Sequence, residues 1–247
     1  VEAMTTIETG TAQNVEYVPE ETRATAIHEA GHAVASHLFM DNILSTRLSI
    51  RKRGGSLGHY SMTERDERFS AWRHEEVGRL VMILGAMAAE HVFYGENTRG
   101  VGGDVQSATM LSSYMVGLCA MGPEPVDLRG RVLEESREER EQAIMQRFER
   151  IGVQIMNRAG ASPMSGDALA GVLSDPGKRQ AAARILGQCY LTALCAISHN
   201  REAVAQIAEI LVQRRELYGD EVVELLERAD LEVPEIDILD EDIWPRV

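Results

Sequence analysis

No run of eighteen consecutive apolar residues occurs in the 247-residue chain. No segment is therefore expected to cross a membrane as a helix. Residues 1–20 have neither a basic start nor an apolar centre, so a secretory leader is not expected there either. Bases are scarce: 25 Lys and Arg stand against 39 Asp and Glu, a formal net charge of −14. Binding a phosphate backbone needs a basic face, so nucleic acid is not expected as a main partner. The acid excess gathers late, with twelve acids and one base, Arg228, in residues 216–242. That distribution reads as a solvated helix face and an acidic tail. Cysteine is rare and odd in number, and Cys119, Cys189 and Cys195 form no C-x-x-C pair. They read as small apolar residues in a reducing compartment. Nor is there a G-x-x-x-x-G-K-[ST] segment, so no phosphate-cradling loop for a nucleoside triphosphate is expected.

What is present is enough apolar sequence, 44%, to bury a core. The pattern is mainly helical. Residues 10–20 read as a linker with Gly, Asn and Pro. A helix is expected from about Glu21 to Phe39, with Ile27, Ala30, Val34 and Leu38 on one stripe. ILSTRLSI and SLGHYSM, separated by RKRGG, read as two short strands and hence a small sheet. Further helices are expected over about 70–94 (Val77, Leu80, Val81, Leu84, Ala88 and Val92 inward) and 104–121. A Gly-rich loop, GENTRGVGGD, joins them. Residues 122–177 fit a flexible insertion carrying a charged helix at 134–150. Two helices follow at 178–199 and 201–215, with Ile185, Cys189, Ile197, Val204, Ile207 and Leu211 inward. Gly219 and Asp220 mark a stop and a new N-cap before a last short helix. The chain opens on Val1 rather than Met, so a longer parent protein is expected.

HEAGH at 28–32 carries the chemistry. Two histidines four apart on a helix stand about 40° apart and one turn along, so their imidazoles can converge on one ion. Zinc suits two neutral nitrogens plus an oxygen ligand, with one position left open. Glu29 lies beside that pair, where a carboxylate can take a proton from water. The motif arises by chance in about one chain in a hundred of this length, so its context matters. Here it sits in an amphipathic helix beside small Ala30 and Gly31, which permit close approach of another element. A third ligand must come from elsewhere. The position that would complete H-E-x-x-H-x-x-G-x-x-H holds Leu38, and His37 is one residue out of register. Glu75, Glu76, Glu90 and Asp104 all remain candidates, although Asp104 also reads as an ordinary N-cap.

HEAGHAVASHL, RGGSLGHYSM, LGAMAAEHVFYG and TRGVGGDVQSAT, in this order, resemble the peptidase domain of FtsH-type AAA+ zinc proteases. AEILVQRRELYGDEVVELL resembles that family's C-terminal helices. The likeness covers most of 21–121 and 178–228. His91 departs from it, standing where a second Glu is usual, and 122–177 match poorly.

The resemblance implies a zincin-like helical domain, mainly α with a small sheet, whose edge strand lies beside the active-site helix. It implies one Zn2+ per chain on His28, His32 and Asp104, with Glu29 as general base and Glu90 behind a ligand histidine. Leu57, Gly58, His59 and Tyr60 would line the strand that receives an extended substrate, and His59 or Tyr60 could assist as a donor. The implied domains are 1–20, the end of an AAA+ lid and linker; 21–230, the peptidase; and 231–247, an acidic tail. The implied partners are polypeptide substrates and, in the full-length form, a homo-hexamer. ATP would bind only in a domain outside these residues. The expected place is the cytoplasm or the cytoplasmic face of a membrane, with any anchor upstream and no membrane contact by this part. Two competing readings are a zinc-bound scaffold without catalysis and a small-molecule metallohydrolase. The intact Glu29 argues against the first, and an open edge strand against the second.

Overall fold

A computed structural model describes residues 18–53, 57–128, 133–158 and 174–245, together with 11 and 172. Helix α1 spans Pro19–Phe39, followed by strands β1 (Ile43–Ser49) and β2 (His59–Glu64) and helix α2 (Arg73–Tyr94). A 3-10 turn, Arg99–Val101, leads into α3 (Gly102–Gly117). Then come α4 (Glu134–Arg158), α5 (Pro176–His199), α6 (Arg201–Arg214), β3 (Glu216–Tyr218) and α7 (Asp220–Arg228). The fold is mainly α with a small sheet, as the periodicity indicates. The segment expected to end an AAA+ lid and form a linker falls almost wholly outside the described residues, as do 129–132 and most of 159–173 within the expected insertion.

The sheet is antiparallel, ordered β2-β1-β3. Ile43 faces Glu64 at one end of the β1–β2 pair and Ser49 faces His59 at the other, with a register shift between Ser45 and Arg47. The third strand is a correction to the two-strand reading: Glu216, Leu217 and Tyr218 pair with Ser49, Leu48 and Arg47. Three residues between a helix end and Gly219 are too few to show a period of two. Gly219 itself adopts a positive φ of 51°, a conformation that favours glycine, and opens α7.

Helices α1 and α2 cross closely. A Cβ on Gly31 would stand 2.6 Å from the Gly85 carbonyl oxygen and 2.7 Å from the Ala89 Cβ. Only glycine permits that separation, and it fixes the HEAGH helix against its neighbour. Ile27, Ala30 and Val34 of α1 and Leu80, Leu84 and Ala88 of α2 are fully buried in the common core. By length and composition α2 and α5 could each cross a membrane. In this fold their apolar faces are mostly buried in the protein core instead. The three thiols are free; Cys189 is buried and the other two are half-buried.

A second apolar cluster holds Val126, Leu128, Ile144, Phe148 and Leu191, with Ile238, Leu239, Ile243 and Trp244 of the acidic tail packed on it. Trp244 stacks on Phe148 at 5.3 Å, and the Arg147 guanidinium lies over the indole. Most of the tail's acids are exposed, while Ile238, Leu239, Ile243 and Trp244 cover this cluster.

Candidate metal and catalytic centre

Three elements converge on one point. Helix α1 presents His28, Glu29 and His32; α2 presents Glu90 and the Met82 carbonyl; the start of α3 presents Asp104. Asp104 is not the N-cap. It lies in the first turn of α3, whose cap position is Val101 and has no side-chain cap bond. Its carboxylate instead reaches the two histidines: Oδ2 lies 3.3 Å from His28 Nε2 and Oδ1 lies 3.4 Å from His32 Nε2.

These distances test the fit of a metal. Charge-assisted N–H···O bonds close to about 2.7–2.9 Å. Ligand atoms about 2.0–2.1 Å from a tetrahedral zinc stand about 3.3 Å from one another. The observed spacing matches the second case. The outer ring atoms are already committed. His28 Nδ1–H donates to Glu90 Oε1 at 2.9 Å, and His32 Nδ1–H donates to the Met82 carbonyl at 3.0 Å. Both Nε2 atoms therefore point inward as the ligand positions, the arrangement that outer hydrogen bonds enforce in zinc sites. His28, His32 and Asp104 fit a zinc ion.

Glu90 does two things at once. Besides holding His28, its carboxylate accepts from Thr98 N–H at 2.5 Å and from Thr98 Oγ1 at 3.0 Å. Thr98 in turn accepts from Gly100 N–H and starts the 3-10 turn that delivers Asp104. One buried carboxylate thus links the His28 ring to the loop carrying Asp104. Its pKa is held low, since its bonds to His28 and Thr98 outweigh the effect of burial. Glu90→Ala is expected to weaken zinc binding about 10–100-fold, the usual cost of losing such an outer partner. A competition titration with a zinc chelator measures it, and an unchanged affinity would remove Glu90 from the site.

The electrostatics follow from geometry. Burial alone would lower the His28 pKa, but the carboxylates of Asp104 and Glu90 at its ring nitrogens push it up to about 10. His32 is also raised, with burial opposed chiefly by Asp104. Asp104 is held well below the usual carboxylate range, because the two imidazoles outweigh its burial. A metal ion taken up there displaces protons from the cluster, so its binding strengthens as pH rises. Glu29 moves the other way. It is 5% exposed, and burial pushes its carboxyl up against the pull of His28 and His32. A raised carboxyl is a stronger proton acceptor than an ordinary one.

The remaining candidates separate clearly. Glu75 and Glu76 lie at the far end of α2, about 20 Å from Glu90 at 1.5 Å per residue. Glu75 accepts from Trp72 N–H at 2.7 Å, capping the helix. His37 is exposed. Leu57 is exposed, Gly58 is buried against Glu29, and His59 and Tyr60 begin β2. The Tyr60 hydroxyl bonds Ser45 at 2.8 Å, and its ring lies nearly parallel to that of His32 at 6.5 Å. Sequence reasoning missed Met82, since a backbone carbonyl leaves no trace in residue type. It also missed Arg47, which approaches Glu29 closely enough to oppose its raised pKa. Arg47 is held by Glu216 of the unforeseen β3 at 2.6 Å.

A profile of peptidase family M41 matches residues 16–154, more than half of the chain. The chain belongs to peptidase family M41. The M41 match spans HEAGH, the sheet's first two strands, Glu90 and Asp104. Over 123 residues, half of this chain, it is 37% identical to the ATP-dependent zinc metalloprotease FtsH 4 of Sphaerobacter thermophilus, covering 19% of that protein. Over 209 residues, 84% of this chain, it is 29% identical to the ATP-dependent zinc metalloprotease FtsH of Thermotoga maritima, covering 31% of it. FtsH 3 of Symbiobacterium thermophilum is 25% identical over 210 residues, 85% of this chain and 30% of that protein. The chain thus spans between a fifth and a third of the length of these curated relatives.

Proposed function

We propose that the chain is a zinc-dependent endopeptidase acting on unfolded or extended polypeptides, the proteolytic part of an ATP-dependent protease. His28, His32 and Asp104 hold the zinc, and Glu29 is the general base. The observation that carries this reading is the convergence of two inward Nε2 atoms and one carboxylate at 3.3–3.4 Å, beside a buried glutamate.

Zinc held there would supply Lewis acidity towards water and the peptide carbonyl. The protein's own groups do the rest. Glu90 and the Met82 carbonyl hold the rings so that both Nε2 lone pairs face the centre. Glu29 removes a proton from the attacking water and returns it to the leaving amine. Burial around α1 keeps bulk water away from Glu29 and strengthens each charge interaction. Strand β2 is an edge of the sheet, its inner side paired to β1, so its outer side suits main-chain pairing with an extended substrate. Residues 57–60 at its start are the proposed receiving strand.

ATP would be used in a domain outside these residues, and the full-length protein is proposed to be a hexamer at the cytoplasmic face of a membrane or in the cytoplasm. The names of the relatives support the use of ATP, and the FtsH resemblance supports the hexamer and its location. Unfolding a stable substrate costs about 5–15 kcal/mol, and no P-loop is present to couple that work to a nucleotide. The test is a paired digestion of casein and a stable folded reporter, with and without ATP. Slow cleavage of casein alone, indifferent to ATP, is expected. ATP stimulation, or efficient loss of the folded reporter, would overturn the division of labour.

A further inference from the structure

Gly58 is buried immediately before β2, and its backbone does not require glycine. The positive-φ glycines among the described residues are Gly95 and Gly219. What Gly58 cannot carry is a side chain. A Cβ there would stand 2.8 Å from both Cγ and Cδ of Glu29, and closer still to its Oε1. Carbon atoms in contact prefer about 3.5–4.0 Å, so the two cannot coexist in place. The Glu29 side chain lies directly over the bare Cα of residue 58.

The nearest atoms in the way all belong to one side chain. This differs from Gly31, where a Cβ would meet the backbone of a packed helix. At position 58 the fold can survive a substitution, because a carboxylate can swing aside more cheaply than a helix can move. The same swing would carry the carboxylate from its place beside the histidines. We propose that Gly58 is a positioning residue: its missing side chain forms the seat of the Glu29 carboxylate, and any side chain at 58 displaces that group. The proposal rests on the peptidase reading for its effect on rate, and on geometry alone for the displacement. It assigns Gly58 a role distinct from pairing with substrate, which would act on substrate binding.

The test is Gly58→Ala in the full chain, with four readouts. Crystal structures of the variant should show the Glu29 carboxylate displaced by about 1 Å or more, with His28, His32 and Asp104 unmoved. Zinc content should stay at one per chain. The kcat should fall about 100-fold, the cost of a misplacement of about 1 Å, with KM nearly unchanged. In a Glu29→Gln background the same change should cost nothing further, since the group it displaces no longer acts as a base. Any loss of Tm should vanish in a Glu29→Ala background, where the obstructing atoms are gone. The proposal is overturned if Glu29 keeps its place while the backbone at 57–59 shifts. It is equally overturned if kcat is retained or the loss lies in KM. If the wild-type chain and Glu29→Gln hydrolyse peptide alike, the peptidase reading has failed, and the crystal positions alone then decide the seat.

Discussion

Glu29→Gln is expected to retain one zinc per chain and to lose peptide hydrolysis by about 10²–10⁴-fold, the range for removing a positioned general base. The substitution is nearly isosteric, so the packing around α1 and the Gly58 contact should be preserved. The ligand atoms belong to other residues, so metal content should not change. What goes is the capacity to accept a proton. An amide in this place cannot do so, whereas the buried carboxylate, its pKa raised by desolvation, can take a proton and return it. Metal analysis and turnover of an unstructured peptide, measured on one preparation, check both halves. Turnover comparable to wild type would exclude the mechanism while leaving the metal site intact.

Asp104→Ala should abolish stable zinc binding, a larger loss than the about 10–100-fold expected of Glu90→Ala, because it removes a direct ligand rather than an outer partner. Helix content should be nearly unchanged. Asp104 caps nothing, and the residues around it, Val105 and Ala108, are fully buried in the core. The two variants therefore rank the roles. Full zinc in Asp104→Ala together with loss in Glu90→Ala would mean that Glu90 is the third ligand and that the geometry has been misread. Circular dichroism and metal content separate loss of the site from loss of the fold.

The helices were legible because each carries a long apolar stripe at helical spacing. Ile27, Ala30 and Val34 on α1 and Leu80, Leu84 and Ala88 on α2 are buried in the core as the pattern implies, and the expected bounds differ from the observed ones by a few residues at most elements. Charged α4 also runs on to Arg158, eight residues beyond the expected 150, because buried Ile151, Ile155 and Met156 continue its inner face. β3 was hidden because three residues cannot display alternation, and only pairing with Arg47, Leu48 and Ser49 defines it.

At the site, the spacing of His28 and His32 announces itself because four residues on a helix bring two side chains together. Asp104 could not be chosen over Glu75, Glu76 or Glu90 by spacing alone. The choice depends on where a loop and a 3-10 turn deliver it, which no periodicity records. The family resemblance pointed to Asp104, and the structure brings it to the histidines. Glu90 was legible as an acid in the right segment, but its bonds to Thr98 were not. The meaning of Gly58 lies entirely in what stands opposite it, a residue 29 positions earlier.

The most direct measurement is a zinc titration of the chelator-treated chain, following hydrolysis of an unstructured fluorogenic peptide. Hydrolysis should begin from nothing, rise linearly with added zinc and level off at one equivalent per chain. Full turnover without added metal, or no hydrolysis with one zinc bound, would contradict the reading of His28, His32, Asp104 and Glu29 as a zinc peptidase centre.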